Sequence, residues 1–239
     1  MGRRRFVKYT VDLLMTAALL VQMAYLLVGQ EIHEWVGAGM LALLIAHHVL
    51  NRKWILNTVR GPYRAYRVFQ TLLIFLVFLS MLGSMAGGIM MSRYVFGFLP
   101  IRGGMSFARL LHMLCAYWGF LFLSAHLGLH WAMVMGAIWK AAGVRAGSRV
   151  RAIALRAAGC GIAAYGASAF VKHRITDYLF LRRTFVFFDF GQPLPQFFAE
   201  YLAMMGLWIF LAYNAGRLLQ KRAAHSSKPH PAKQQREET

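Results

Sequence analysis

The histidines of this sequence are the residues whose type and spacing could do chemistry. The chain has 239 residues and nine histidines. Six of the nine fall in just two apolar stretches: His33, His47, His48, His112, His126 and His130. Side chains that ionise or bind metals are costly to bury among apolar residues and usually mark a functional site. A site built from these two stretches is therefore the first prediction.

Two histidine pairs share one spacing. His33 and His47 are 14 residues apart, and so are His112 and His126. In an α-helix, 14 residues make about four turns less 40° and rise about 21 Å, so each pair lies on one face at two levels. Two facing helices would then pair His33 with His112 at one level and His47 with His126 at the other. That is the geometry of two haems in a helical bundle, each held by two histidines.

Two other histidines leave the choice of ligands partly open. His48 is the alternative to His47 in the first stretch. His130 is 18 residues from His112, at the same helical angle as His112 but about 27 Å away along the axis, and is the alternative to His126. Both are kept as alternative ligands or as neighbours of the ligands.

Other metal chemistry fits the pattern less well. Zinc takes four ligands, commonly including thiolate or carboxylate, and no such group accompanies each histidine pair. Cys115 and Cys160 form no CxxC pair and both fall in apolar stretches, so neither a disulfide nor a thiolate site is predicted. A single histidine in an apolar helix is more often a packed residue than a ligand, but two pairs with the same spacing favour haem.

The elements that must position these histidines are membrane-spanning helices. Of the residues, 59% are hydrophobic and 15% charged, which excludes an ordinary soluble domain and a disordered chain. A helix needs about 20 mostly apolar residues to span a bilayer. Six stretches qualify: residues 10–29, 32–50, 68–92, 110–138, 153–171 and 197–218. The predicted fold class is an all-α integral membrane bundle of six transmembrane helices.

The predicted organisation is one membrane domain followed by a tail. Residues 1–218 form the membrane domain, with the haem-binding core at about 10–138. Residues 219–239 are polar and are predicted to be a disordered cytoplasmic tail. The first apolar stretch follows three arginines and precedes no cleavage signal, so it is interpreted as an uncleaved anchor.

Positive charge predicts the orientation of the bundle. Lys and Arg total 27 against 8 acidic residues, a net charge of +19, and the basic residues cluster between apolar stretches. Because positive loops stay in the cytoplasm, placing both termini inside puts 20 of the 27 there. This N-in, C-in arrangement explains the charge by membrane lipid, without nucleic acid as a partner. His33 and His112 then lie at the outer level, and His47 and His126 at the inner level.

Residues 172–196 form the longest predicted outer loop. The loop is rich in aromatic residues, which favours a segment lying in the outer membrane interface. A docking surface for a partner protein is the alternative interpretation of the same residues.

Several runs around the histidines resemble the flavinylation-associated cytochromes. These runs are Asp12-Leu13-Leu14, His33-Glu34-Trp35-Val36-Gly37, His47-His48-Val49-Leu50-Asn51-Arg52-Lys53-Trp54, Leu111-His112, His126-Leu127-Gly128-Leu129-His130-Trp131, Phe185-Val186-Phe187-Phe188-Asp189-Phe190 and Glu200-Tyr201-Leu202-Ala203-Met204-Met205-Gly206-Leu207. The 14-residue histidine pairs are also similar to those of the respiratory cytochrome b core. The resemblance implies a multi-pass b-type cytochrome of the bacterial inner membrane, with two non-covalent protohaem IX groups. It also implies a flavin-carrying protein partner on the outer face.

The expected function is electron transfer through two haems, from quinol or another membrane donor to the outer face. Such a chain is an electron-transfer component rather than a stand-alone enzyme, and a quinone is a candidate partner. One alternative is a haem-bearing anchor subunit of a larger oxidoreductase. Another is a transporter that relays protons through histidines without haem, although acids are few near the apolar stretches and Asp12 and Glu200 are the candidates. No hydrolase triad, phosphate loop or dinucleotide fingerprint is evident.

Overall fold

The computed structural model describes residues 3–58, 60, 62–144, 148–186 and 191–226. Within these residues the regular structure is helical and includes no strand, as predicted for an all-α protein. In chain order the helices are α1 (Arg3–Met23), α2 (Tyr25–Thr58), α3 (Ala65–Met91), α4 (Met105–Ala141), α5 (Arg149–Lys172), α6 (Ile175–Leu179) and α7 (Leu194–Ser226).

Five of the helices are long and apolar enough to cross a membrane. They are α1, α3, α4, α5 and α7, the last over Leu194–Ala223. Large apolar side chains cover their outer faces; Leu13 is 69% exposed and Phe75 is 56% exposed. An exposed apolar surface of this extent suits lipid rather than water. The long helix α2 is not among the five, because its two glutamates and three histidines lower its mean hydropathy.

Some helix ends differ from the predicted ones, but the predicted end of the first stretch at residue 29 coincides with a break. α1 ends at Met23, and only the buried residue Ala24 separates it from α2. Leu27 and Val28 still donate backbone hydrogen bonds to the carbonyl oxygen of Ala24. Gly29 lies within the bounds of α2, but its φ of +80° and ψ of 167° are not helical, so two helical segments meet there. That conformation is readily open to glycine, which has no Cβ. At the other end of the chain, α7 continues to Ser226, and the rest of the predicted tail lies outside the described residues.

The helices pack as a central group with one hairpin beside it. In the central group α4 packs against both α3 and α7, and α5 packs against α7. The hairpin of α1 and α2 touches the group more lightly, through α3 and α7, and α2 does not pack closely along α4. A small cluster of Met15, Met40, Leu44 and Met81 joins the hairpin to α3. A gap between α2 and α4 therefore has to be filled by side chains or a ligand.

Glycines set the closest helix approaches within the central group. A Cβ on Gly128 of α4 would lie 2.6 Å from the carbonyl oxygen of Ile209 in α7. A Cβ on Gly166 of α5 would collide with the carbonyl oxygen of Ala203, also in α7. Small residues let membrane helices approach closely enough for backbone contact. These two positions fix α7 against its neighbours.

Gly166→Ala is expected to destabilise the bundle, because the added methyl group meets backbone that cannot move aside. Overpacking of this kind costs about 1–3 kcal/mol, which a lowered thermal midpoint of the detergent-solubilised protein would report. The matched control is Gly161→Ala on the same helix, where an added Cβ meets nothing within 4 Å. Equal midpoints for the two variants would contradict the described α5–α7 contact.

Candidate functional site

The predicted outer pair of histidines meets at one end of the bundle. His33 lies near the start of α2 and His112 in the second turn of α4, and their ring centroids are 5.9 Å apart at an interplanar angle of 73°. Because α2 and α4 do not pack closely, the two rings meet across the gap. Metal–imidazole bonds of about 2 Å would place the centroids of two rings on one metal roughly 6 Å apart. The observed separation matches that spacing.

Hydrogen bonds leave one nitrogen of each outer histidine suited to a ligand role. Nδ1 of His112 lies 2.7 Å from the carbonyl oxygen of Ser84, so Nδ1–H donates there and Nε2 keeps its lone pair. Nδ1 of His33 is buried without a hydrogen-bond partner in the described structure. A buried polar atom without a partner is costly. The pair therefore fits a bound group that holds both rings in place.

Both outer histidines, His33 and His112, line a cavity of about 890 Å³. Cofactor and ligand sites commonly range over about 300–1,000 Å³, so its size suits a large cofactor. The wall of the cavity is mainly apolar and rich in methionine. Helices α3 and α4 contribute five of these methionines: Met85, Met90, Met91, Met105 and Met113. Arg93, Arg109 and His173 also line it. An apolar wall with cationic side chains suits a flat apolar macrocycle that carries carboxylates.

Glu34 fixes His33 in place and was missed as a site residue by sequence reasoning. Its carboxylate accepts hydrogen bonds from Ser92 Oγ at 2.6 Å and from the backbone N–H groups of Arg93, Tyr94 and Val95 at 3.0, 2.8 and 3.2 Å. These bonds join α2 to the turn that follows α3, directly beside His33. No signal in the sequence points to this role, because the partners are mostly backbone groups about 60 residues away.

Glu200 forms a second carboxylate network next to the cavity. It is only 3% exposed, and its donors are Lys172 at 2.6 Å, His173 at 2.5 Å, Gln192 at 2.9 Å and Gln196 at 3.1 Å. A buried carboxylate needs such donors to offset its lost hydration. The network ties the end of α5 to the start of α7 and holds His173 at the cavity wall.

The long outer loop is partly core rather than wholly interfacial. Ile175, Tyr178 and Leu179 of α6 are 1–5% exposed. Tyr178 stacks on Tyr117 with centroids 4.5 Å apart, and the indole N–H of Trp118 donates to the carbonyl oxygen of Leu179 at 2.9 Å. Farther along the loop, Phe180 and Phe185 are more than 60% exposed. Residues 187–190, part of the run that carries the resemblance, lie outside the described residues.

The predicted inner histidines gather at the opposite end of α2 and α4, without the close ring pairing of the outer level. Nδ1 of His47 donates to the Asp12 carboxylate at 2.8 Å, and its Nε2 lies 3.4 Å from the Asn51 amide. The ring of His126 contacts His130 at 4.9 Å, and Nδ1 of His126 is buried without a partner in the described part of the chain. His126 is within electrostatic range of His47 and Asp12. No ring contact joins His47 and His126 among the described residues.

The two alternative inner ligands have different surroundings. Nδ1 of His48 donates to the carbonyl oxygen of Leu44 at 2.8 Å, and its ring lies 5.7 Å from Phe78 of α3. His48 is therefore turned toward α3. His130 is within electrostatic range of His47 and Asp12, so it faces the same space as His126. Asp12 was noted in the sequence only as an acid near a span end; a carboxylate on a histidine Nδ1 orients the ring and raises its basicity as a ligand.

Metal binding by protein side chains alone has no site in the described chain. No group of three or more His, Cys, Asp or Glu side chains there is close enough to hold a metal ion. Haem iron takes four ligands from the porphyrin, so two imidazoles are sufficient for it. Comparison of the chain with family models, curated proteins and solved structures finds no match.

Proposed function

We propose that this chain is a membrane b-type cytochrome that transfers electrons across the bilayer through two haems. The observation that carries the proposal is the His33–His112 pair, whose ring centroids lie 5.9 Å apart at an interplanar angle of 73° beside a cavity of about 890 Å³. His47 and His126, with His48 and His130 as alternatives, supply the second level about 21 Å away along the helices. The resemblance to flavinylation-associated cytochromes supports the same function.

The residues of the outer cavity would hold, orient and shield the bound group. His33 and His112 would bind it through their imidazoles, and the Ser84 carbonyl group fixes the ring of His112. Glu34 holds the segment that carries His33, and the methionine-rich wall keeps water away. Haem iron, when bound, supplies one-electron oxidation and reduction. The protein contributes ligand placement, a low dielectric and cationic side chains, Arg93 and Arg109, that can pair with carboxylates.

We further propose six membrane spans with both termini inside the cell, in the inner membrane of a bacterium. The sixth span is α2, whose 34 residues are long enough to cross despite its polar content. Its histidines lower its hydropathy because they serve the interior of the bundle rather than the lipid. The electron donor in this proposal is quinol or another membrane reductant, and the acceptor is a flavin-carrying protein on the outer face. The partner rests on the resemblance alone.

Purified protein from haem-sufficient cells is expected to contain two haems per chain. Its absorption spectrum should show a Soret band that shifts and sharpens on reduction with dithionite, as bis-histidine haem does. Haem content per protein by extraction is the accompanying measurement. A colourless preparation would contradict the proposed function. A ratio of one haem per chain would mean that only one of the two histidine pairs binds haem.

The orientation predicts which side of the membrane each loop faces. In a variant in which both native cysteines are replaced by serine, a cysteine introduced at Arg182 should react with an impermeant maleimide applied from outside. A cysteine at Arg222 in α7 should react only after the membrane is permeabilised. The reverse pattern would exclude the N-in, C-in arrangement.

A histidine relay for protons is the second candidate, and one observation favours it. At the inner end a chain of contacts runs from Asp12 through His47 to Asn51 and Lys8, with distances of 2.7–3.4 Å. The imidazole of His47 and the carboxylate of Asp12 can exchange a proton, whereas the Asn51 amide holds the neighbouring groups together without passing one. The haem measurement separates the two candidates, because the relay needs no cofactor. Copurification with a larger partner would instead identify the chain as a haem-bearing anchor subunit.

A further inference from the structure

A basic pocket lies at the inner end of the α1–α2 hairpin, away from the cavity of the outer histidines. Its volume is about 630 Å³. Five of its lining residues are cationic: Arg3, Arg4, Arg5, Lys8 and Lys53. Among the residues that the structure describes, no acidic side chain lines it. The pocket thus concentrates positive charge from the start of α1 and the end of α2 in one concave space.

The cations of this pocket have no acidic partner within the described structure. The ion pairs among the described residues involve basic side chains outside this pocket. Lys8 donates its hydrogen bond to the neutral amide oxygen of Asn51 at 2.7 Å. The nearby carboxylate of Asp12 is already bonded to His47. Like charges held together repel one another, so an anion in the pocket would relieve that repulsion.

The remaining lining residues indicate what kind of anion fits. Leu50 supplies an apolar wall, and Trp54, which is 39% exposed, supplies a ring of the type found at membrane interfaces. The pocket lies at the start of α1 and one to two turns before the end of α2, which in the proposed six-span arrangement is the depth of lipid headgroups. Basic pockets between membrane helices on the cytoplasmic side bind anionic headgroups. An apolar wall below a cationic rim suits a phosphate that carries acyl chains better than a free ion.

We propose that this pocket binds the headgroup of an anionic phospholipid in the inner leaflet. The arginines of the first turn and Lys53 hold the phosphate, while Leu50 and Trp54 contact the glycerol and the upper acyl chains. The proposal rests on the six-span arrangement proposed above, with the N-terminus inside, and does not depend on haem. Asn51 belongs to the pocket and also donates to the backbone carbonyl of His47 at 2.9 Å, so the bound lipid would lie next to the inner histidines.

The test compares two variants that lose the same charge. The pocket variant is Arg4→Gln/Arg5→Gln/Lys53→Gln, which leaves the Lys8–Asn51 bond intact. The control is Lys140→Gln/Arg149→Gln/Arg156→Gln, in other basic segments of the same predicted side. The detergent-solubilised full chain is titrated with phosphatidylglycerol, phosphatidylcholine or inorganic phosphate, and bound lipid is counted by native mass spectrometry. Each basic residue contributes to headgroup attraction, so the pocket variant should bind phosphatidylglycerol about tenfold or more weakly.

The control variant and the wild type should bind phosphatidylglycerol alike, and inorganic phosphate should not displace it. The thermal midpoint gives a second readout: phosphatidylglycerol should raise it in wild type and control but not in the pocket variant. Lys53→Gln alone should show a smaller loss in the same direction. Equal weakening in both triple variants would overturn the proposal in favour of general surface charge. Equal binding of phosphatidylcholine, or displacement by phosphate, would also overturn it.

Discussion

His33→Ala and His112→Ala are each expected to remove the same haem and to leave the other in place. Either change leaves one imidazole where two were opposed at 5.9 Å between ring centroids, and a haem with one protein ligand is poorly retained. The second level survives because about 21 Å of helix separates it. Haem per protein should fall from two to one in both variants, and a redox titration should lose the same component in each.

His173→Gln is the matched control for the outer level. His173 lines the same cavity but is held by Glu200 at 2.5 Å, and glutamine can keep a hydrogen bond there. This variant should retain both haems. Free imidazole added during expression should restore haem to His112→Ala, because the truncated side chain leaves space beside Ser84. Loss of different haems in the two ligand variants would show that His33 and His112 do not share a site.

At the inner level, His47→Ala and His126→Ala are expected to remove the other haem. Nδ1 of His47 is oriented by Asp12, and Nδ1 of His126 is buried without a partner in the described structure, as in His33 of the outer pair. His48→Ala and His130→Ala should keep both haems, since His48 is turned toward Phe78. Haem content and the reduced spectrum of the four variants decide the pairing.

The opposite outcome at the inner level has a clear structural meaning. If His48→Ala loses a haem while His47→Ala keeps it, the 14-residue spacing does not identify the ligand on α2. If His130→Ala loses a haem in place of His126→Ala, the inner site lies about one helical turn closer to the cytoplasm. The 4.9 Å contact between the His126 and His130 rings makes this the most informative pair of variants.

The helices were predictable because apolar runs long enough to span a bilayer have few other ways to satisfy their backbone. The boundaries were less predictable. α2 continues past residue 50 to Thr58 and α7 past residue 218 to Ser226, because polar residues such as Asn51 and Gln220 can extend a helix beyond an apolar run. The predicted end of the first stretch at residue 29 coincides with the non-helical backbone of Gly29, whereas no glycine or proline signals the short interruption at Ala24.

The depth of the histidines could be deduced from spacing, but their lateral surroundings could not. Alternation of helix direction predicted that His33 lies beside His112, and their ring centroids are 5.9 Å apart. It did not reveal that α2 stands apart from α4 along most of its length. Nor did it reveal the networks of Glu34 and Glu200, because their donors come from loops and helix ends far along the chain. Such contacts depend on tertiary packing rather than on local pattern.

The loose docking of the α1–α2 hairpin has a consequence for the turnover of the protein. Under the proposed function, a group bound between His33 and His112 fills the gap that backbone packing leaves open, so binding contributes to the free energy that keeps the hairpin in place. A newly made chain without that group would hold its hairpin through Glu34, the Met15 cluster and the packing of Ala24 on the central core. Proteases act on segments that open transiently. The cellular half-life of this chain should therefore follow the supply of haem, independently of any electron it carries.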